Sequence, residues 1–161
     1  MKRYLPTRPL PSYAFLPGRT PRPSVHVPES NAHEKLTEQS WFGHAQYLWG
    51  VDLYNADLVW EAHEAWESLW RESLHGSSPR LFLQGLIQCA AASVKSALGD
   101  GAAVLRISAR ALDRLRRVQH QEGPNYLGVD LPSFIIAFEC FAKTQPLVFA
   151  ARPQLVLDSN P

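Results

Sequence analysis

Apolar residues recur at helical spacing in the chain beyond residue 37. Trp41, Ala45 and Leu48 are three or four residues apart, which places their side chains on one face of a helix. We expect this first helix to run from about residue 38 to Asp52, with Thr37 as its N-cap.

Residues that start and stop helices divide the following sequence into four further helices. Asn55 is a suitable N-cap for the second helix, and Gly99-Asp100-Gly101 separates the third helix from the fourth. The expected ranges are 57–74, 79–98, 102–121 and 132–143. No alternating run between residues 38 and 145 predicts a strand. The predicted fold class is therefore all-α, a five-helix bundle with a Pro-rich extended N-terminal arm.

The fifth helix is apolar on almost every side, as Phe134, Ile135, Ile136 and Phe138 illustrate. A helix of this kind is typical of the centre of a fold or of a subunit interface. We therefore expect either a central fifth helix or a homodimer formed through this helix or through the arm.

Proline content separates the arm from the helical body. Residues 1–37 hold seven of the 13 prolines, which exclude a regular helix and favour extended backbone. Apolar residues recur between these prolines, so we expect the arm to lie over the helices, with a type II turn at Pro17-Gly18. The predicted division is an arm (1–37), a helical domain (38–145) and a C-terminal tail (146–161).

The charge balance argues against nucleic-acid and membrane partners. The 161 residues include 16 basic and 15 acidic side chains, a formal net charge of +1, which gives no overall attraction to nucleic acid or anionic lipid. The N-terminus lacks the apolar run of a signal peptide, and no later run has the length of a membrane span. We expect a cytoplasmic protein in which Cys89 and Cys140 are buried free thiols.

The second helix carries the most distinctive side chains. Its segment from Trp60 to Trp70 contains three acidic residues, one histidine and three tryptophans. His63 and Glu67 are four residues apart and share a face, which Trp60 and Trp70 flank. The adjacent apolar stripe predicts that this polar pair borders the core.

Two glutamines of the third helix complete the candidate site. Gln84 and Gln88 are four residues apart in an otherwise apolar run, and Gly85 permits close packing of another helix. Buried amides require hydrogen-bond partners. The short connection between the second and third helices predicts antiparallel packing in which the glutamines face His63 and Glu67.

Two non-catalytic interpretations of this site are open. In the first, His63 belongs to a structural network, hydrogen-bonded to a carboxylate and to the glutamine amides beneath the indole rings. In the second, the side chains bind a small polar ligand in an aromatic pocket, where the faces of Trp60 and Trp70 also suit a cation.

The third interpretation is a site for a divalent transition metal. His63 and Glu67 can bind one ion, and Glu64, His44 or His33 would supply a third ligand. In a hydrolase of this kind a metal-bound water would be the nucleophile, with Glu64 as the general base. Position 67 is Glu, where the HExxH motif has its second His.

The two motifs resemble the signature of the domain of unknown function 309 family. The residues concerned are Trp60-Glu61-Ala62-His63-Glu64-Ala65-Trp66-Glu67 with Trp70, followed by Gly85-Leu86-Ile87-Gln88. Leu10-Pro11-Ser12-Tyr13 with Leu16-Pro17-Gly18 also resembles the arm of some bacterial members, and the resemblance covers most of residues 10–120. The family usually has an Asn-x-Gly sequence before the second helix. This chain has Asn55-Ala56-Asp57 at that place.

The resemblance implies an all-helical bundle in a bacterial cytoplasmic protein. It also implies that His63, Glu64, Glu67 and Gln88 belong to the site. Metal-dependent hydrolysis has been suggested for the family, whose activity is otherwise uncharacterised. The resemblance therefore leaves the structural, ligand-binding and metal interpretations open.

Overall fold

The structure, a computed structural model, describes residues 2–21, 35–146 and 151–158, and these ranges contain five α-helices. The helices are α1 (Ala45–Asn55), α2 (Val59–Glu72), α3 (Ser78–Ala97), α4 (Gly101–Glu122) and α5 (Leu131–Thr144); a 3-10 helix (Trp41–Gly43) precedes α1, and an antiparallel hairpin of β1 (Asn125–Tyr126) and β2 (Val129–Asp130) precedes α5. Each α-helix packs against the next along the chain. The predicted all-α fold of five helices is confirmed. In the ranges described, no helix has both the length and the apolar composition of a membrane span.

Local capping explains why α3, α4 and α5 lie close to their predicted ranges. The Ser77 hydroxyl accepts a hydrogen bond from the backbone N–H of Arg80 at the start of α3. The Asp100 carboxylate accepts one from Ala103 at the start of α4, and Asp130 caps α5 in the same way. These side chains satisfy backbone donors that the first turn of a helix leaves unpaired.

The start of α1 differs from the prediction. The helix begins at Ala45 rather than near residue 38, and Thr37 is not its N-cap. His44 has extended backbone with a ψ of 97°, and its Nδ1 accepts a hydrogen bond from the backbone N–H of Tyr47. Because this extended residue interrupts the helical path, Trp41 lies in the separate 3-10 turn.

The connection between α1 and α2 also corrects the prediction. Asn55 is the last residue of α1 and does not cap α2. Its amide donates to the carbonyl oxygen of Leu155 and its Oδ1 accepts from the Leu155 N–H, both at 2.8 Å. Asp57 takes the left-handed conformation (φ 66°) that favours glycine, the residue expected at this point of the Asn-x-Gly pattern. Arg152 donates to Asp57 Oδ1 at 2.6 Å.

The central helix is α1 rather than α5. Every residue from Gln46 to Asn55 is buried. In contrast, α5 packs mainly on one side, against α4 and β2. Ile136 on its outer side is 70% exposed, and Cys140 is exposed as well. The predictions of a central fifth helix and of a buried Cys140 are therefore wrong, whereas the burial of Cys89 is confirmed. A homodimer interface on α5 stays a prediction.

The sequence pattern does not predict the hairpin between α4 and α5. Its two turn residues, Leu127 and Gly128, both have positive φ (47° and 80°). Such turns usually show an Asn-Gly or Asp-Gly pair, and leucine gives no such signal. Tyr47 holds the turn by donating its hydroxyl hydrogen to Leu127 O at 2.8 Å, and a Cβ on Gly128 would lie 2.5 Å from the Trp41 ring.

Buried polar side chains of α1 bind other parts of the chain. The Gln46 amide donates to Ala65 O of α2 at 3.2 Å. The fully buried Asp52 accepts the backbone N–H groups of Tyr4 and Leu5, one at each carboxylate oxygen and each at 2.8 Å. The first residues of the chain are therefore attached to the middle of the central helix.

The last described residues are packed against the same helix. Leu155 and Leu157 are buried, and Leu157 forms a β-bridge with Val129. The Leu157 N–H also donates to the hydroxyl oxygen of Tyr4 at 2.7 Å. The packed body thus extends beyond Thr144 into residues 151–158.

Residues 2–21 contain no regular helix or strand and lie on the helices. We call residues 3–8, which contact α1, the root, and residues 10–21 the strap. Apolar side chains from both parts pack against the core, namely Tyr4, Leu5, Leu10, Ala14 and Leu16. Within the strap, Gly18 has a φ of 76° and the Arg19 N–H donates to Leu16 O, as the predicted Pro17-Gly18 turn requires. Residues 22–34 of the predicted arm lie outside the described ranges.

Gly50 lets α2 approach α1 closely. A Cβ at Gly50 would lie 2.1 Å from Nε1 of Trp66. The Trp66 indole N–H donates to Tyr47 O at 3.3 Å. Together with the bond from Gln46 to Ala65, this contact fixes how α2 is rotated, and therefore which of its faces points away from α1.

We expect Asp52→Asn to lower the free energy of unfolding by about 3 kcal/mol, because an amide NH2 would replace one of the two acceptors that face buried backbone N–H groups. The measurement is urea denaturation of the full chain. The matched control is Asp113→Asn, at an exposed position of α4, which should change the value by less than about 0.5 kcal/mol. Equal effects of the two variants would contradict a structural role for Asp52.

Candidate functional site

The apolar face of α2 orients the candidate site. Ala62, Ala65, Trp66 and Leu69 are buried on this face. The adjacent stripe consists of half-buried side chains, namely Trp60, His63, Glu67 and Trp70. The sequence-based expectation that the polar pair borders the core agrees with this placement.

Trp60 and His63 form the closest pair in the stripe. Their rings are stacked, with centroids 5.6 Å apart and planes at 21°. Both rings carry a buried nitrogen, Nε1 of Trp60 and Nδ1 of His63, and neither atom has a hydrogen-bond partner among the described residues. A buried polar atom without a partner costs roughly 1–3 kcal/mol, so native structures contain few of them.

The electrostatic surroundings keep the His63 ring neutral near pH 7. Burial lowers the pKa of the imidazole below its ordinary value, because the charged form loses hydration. The carboxylates of Glu67 and Glu64 oppose this effect, and Arg71 adds to it. His63 therefore presents an uncharged ring close to two negative charges.

Trp70 lies at the other end of the stripe and is held by Arg80. The guanidinium of Arg80 is 4.1 Å from the centroid of the Trp70 ring, a cation–π contact. The same group donates to the carbonyl oxygens of Trp70 and Ser73, at 2.6 and 2.9 Å. Arg80 thus satisfies carbonyl groups at the end of α2, while Nε1 of Trp70 has no partner.

Glu67 is bound to a surface residue of its own helix. Its Oε1 accepts a hydrogen bond from Arg71 at 2.8 Å, across one turn. Arg71 is mostly exposed, and exposed ion pairs of this kind contribute little to stability. Glu67 therefore stays accessible to a competing cation.

Sequence reasoning missed Glu61, which is only 4% exposed. Its Oε1 accepts the backbone N–H of Phe15 at 2.9 Å, while its Oε2 has no partner within residues 2–21, 35–146 and 151–158. Burial raises the pKa of this carboxyl group, against the effect of the Phe15 hydrogen bond. The Phe15 ring packs edge-on against Trp60, with centroids 5.2 Å apart. A glutamate in the first turn of a helix usually indicates only a favourable dipole interaction, so the sequence offered no separate signal.

The Gln88 amide of α3 is bound to α4 and not to His63. Gln88 Oε1 accepts a hydrogen bond from Arg114 of α4 at 3.1 Å, and Nδ1 of His63 has no partner at either glutamine. The reason lies at Gly85, where a Cβ would be 2.7 Å from Leu115 of α4. The close approach that Gly85 permits is thus to α4. Gln84 is half-buried.

The described residues do not form the cluster of ligands that the metal interpretation requires. Across residues 2–21, 35–146 and 151–158, no three His, Cys, Asp or Glu side chains are grouped so that they could hold a metal ion. His44 serves as the N-cap of α1, and His33 lies outside the described ranges. Within the described ranges the buried Nδ1 of His63 has no hydrogen-bond partner, so this atom takes no part in the structural network expected around the ring.

Comparison with known proteins gives one match. Residues 47–107, which include α2 and α3, match the model of a family described as Domain of unknown function (DUF309). No curated protein and no solved structure matches the chain. The match covers less than half of the chain but includes both motifs on which the resemblance rests. Over this segment the chain is therefore similar to the family of domain of unknown function 309, as its two motifs predict.

Proposed function

We propose that the protein is a helical binding module that takes a small polar ligand at the Trp60–His63 end of α2. The observation that carries this proposal is the pair of stacked rings with two buried nitrogens, Nε1 of Trp60 and Nδ1 of His63, that have no partner in the part of the chain that the structure describes. A ligand that hydrogen-bonds to both atoms would remove the cost of leaving them unpaired.

The chemistry of the two rings restricts the ligand. The indole N–H of Trp60 is a donor and requires an acceptor such as a carbonyl oxygen. The neutral imidazole of His63 donates or accepts at Nδ1, according to its tautomer. Glu64 and Glu67 act electrostatically on His63, so a negative ligand is disfavoured. We therefore propose a neutral or positively charged ligand that carries hydrogen-bonding groups.

The remaining predicted residues have secondary roles in this proposal. Glu67 would attract a positively charged group on the ligand, since its partner Arg71 is mostly exposed. Trp70 and Gln84 would contact only a longer ligand, because Trp60 and Trp70 are ten residues apart, about 15 Å along the helix axis. Gln88 is bound to Arg114 and would contribute indirectly.

Three probes of similar size and different charge test the proposal. We expect propionamide and ethanolammonium, each of which carries an oxygen that can accept the Trp60 N–H, to bind and propionate to bind much more weakly, as measured by saturation-transfer NMR with the full chain at pH 7.5. His63→Leu should abolish binding of the first two probes, because it removes the ring nitrogen. The matched control His75→Leu, at an exposed position beyond α2, should bind them normally. Equal binding of propionate, or normal binding to His63→Leu, would refute the proposal.

Stability should depend on pH through His63. Its pKa in the folded protein lies below its ordinary value, so below about pH 6.5 the unfolded chain takes up a proton that the folded chain does not. The free energy of unfolding of the wild-type protein should therefore fall, relative to that of His63→Leu, between pH 7.5 and pH 5.5. Urea denaturation at both pH values measures the difference. A pH-independent difference between the two proteins would mean that burial of His63 does not affect its protonation.

A metal-dependent hydrolase, with His63 and Glu67 as ligands and Glu64 as general base, is the alternative function. Its support is that a neutral imidazole with an unpartnered nitrogen lies one turn from a carboxylate. If it is correct, protein purified without chelator should contain a divalent transition metal near one per chain by elemental mass spectrometry, and His63→Leu should lose it. Metal-free protein without a thermal shift in zinc, manganese or iron would contradict this alternative.

A further inference from the structure

The strap covers the end of α2 where the ligand is proposed to bind. The ring of Phe15 packs edge-on against Trp60 at 5.2 Å and 74°, and the N–H of Phe15 donates to Glu61 Oε1 at 2.9 Å. Trp60 in turn stacks on His63. A molecule that approaches Trp60 from the side of the strap therefore meets Phe15 first.

The tip of the strap, residues 14–20, is held together by hydrogen bonds within itself. The Thr20 hydroxyl donates to Ala14 O at 3.1 Å and accepts the Leu16 N–H at 2.7 Å. The Arg19 N–H donates to Leu16 O at 2.9 Å, which closes the Pro17-Gly18 turn. Because these bonds lie within the tip, they would persist if the tip moved away from α2.

The root is held to the body independently of the strap. Tyr4 and Leu5 are bound to the buried carboxylate of Asp52, and the Arg8 guanidinium lies 4.0 Å from the centroid of the Trp49 ring. The strap can therefore leave α2 without releasing the root. The strap is also bound to the body by a hydrogen bond from the Arg19 guanidinium to Ala97 O at 3.2 Å. This bond is exposed to solvent, unlike those that the root forms to Asp52.

The closed position carries an electrostatic cost. Glu61 is buried beneath the strap, and only one of its oxygens has a partner. Movement of the strap would return the other oxygen to water, which offsets part of the contact energy lost with Phe15. The unpaired oxygen of Glu61 therefore opposes the packing of Phe15 and of the apolar strap residues, which favours the closed position.

From these contacts we infer that the strap is a lid on the α2 site, closed by Phe15, and that ligand binding requires it to lift. The part of the inference that concerns ligand binding rests on the proposed function. The closure of the strap over Trp60 does not depend on any ligand. Because a closed lid lowers the fraction of binding-competent protein, it weakens the apparent affinity by that fraction.

Hydroxyl-radical footprinting with mass spectrometry tests closure without any ligand, because it reports the exposure of each tryptophan. In the full chain, Phe15→Ala should increase the oxidation of Trp60 severalfold, while the fully buried Trp66 should stay protected and show that the variant is folded. The matched control is Tyr13→Ala, which truncates another aromatic residue of the strap, 40% exposed. Unchanged oxidation of Trp60 in Phe15→Ala, or an equal increase in Tyr13→Ala, would overturn the role of Phe15 as the lid.

A second variant shifts the lid in the opposite direction. Glu61→Gln keeps an oxygen that accepts the Phe15 N–H but removes the buried charge, so oxidation of Trp60 should fall below that of the wild-type protein. An increase in Glu61→Gln would overturn the inference that the buried charge weakens closure.

Propionamide binding separates the lid from the proposed function. If both are correct, Phe15→Ala should bind propionamide more tightly than the wild-type protein. Increased oxidation of Trp60 without propionamide binding to either protein would refute the proposed function and leave the lid intact. Equal propionamide affinity of the two proteins, together with increased oxidation, would show that the strap does not control access and would overturn the lid.

Discussion

The enclosure of α1 on all sides is the constraint on which the rest of the structure depends. A helix with no exposed face must still satisfy its polar side chains, because a buried group without a partner costs free energy that folding must recover elsewhere. Gln46, Asp52 and Asn55 obtain their partners from α2, from the N-terminal root and from the C-terminal tail respectively. Both ends of the described chain are therefore integral to the fold.

This constraint also determines what α2 can present to a ligand. Gly50 and Trp66 bring α2 against α1 so closely that its rotation is fixed, and the stripe with Trp60 and His63 is left between the core and the surface. The strap covers part of this stripe through a ring contact and a single hydrogen bond to Glu61. Neither contact reaches the indole nitrogen of Trp60 or Nδ1 of His63, which is why both atoms are buried but unpaired.

The sequence predicted what local interactions determine. The caps of α3, α4 and α5 act within three residues of the helix start, so the predicted starts of these helices lie close to the observed ones. The prediction that Asn55 caps α2 failed because its hydrogen-bond partner, Leu155, is one hundred residues away. No local pattern distinguishes a helix cap from such a long-range bond. The prediction that Gln88 faces His63 failed for a related reason. A glycine beside a polar residue predicts close packing but does not say which helix approaches, and here it is α4.

A comparison of α1 with α2 explains why we assign the unpaired atoms of α2 to a ligand rather than to imperfect packing. Among the described residues, α1 has one buried side-chain polar atom without a partner, the hydroxyl oxygen of Tyr54, although α1 is the more deeply buried helix. Among the described residues, α2 nevertheless has unpartnered buried atoms in Trp60, Glu61, His63 and Trp70, and the first three lie within one turn. Segments near both ends of the described chain satisfy Asp52 and Asn55 of α1, whereas three unpartnered atoms lie within one turn of α2. Such a concentration is expected when that turn is used for binding, because functional sites often depart from the rules that the rest of a fold obeys.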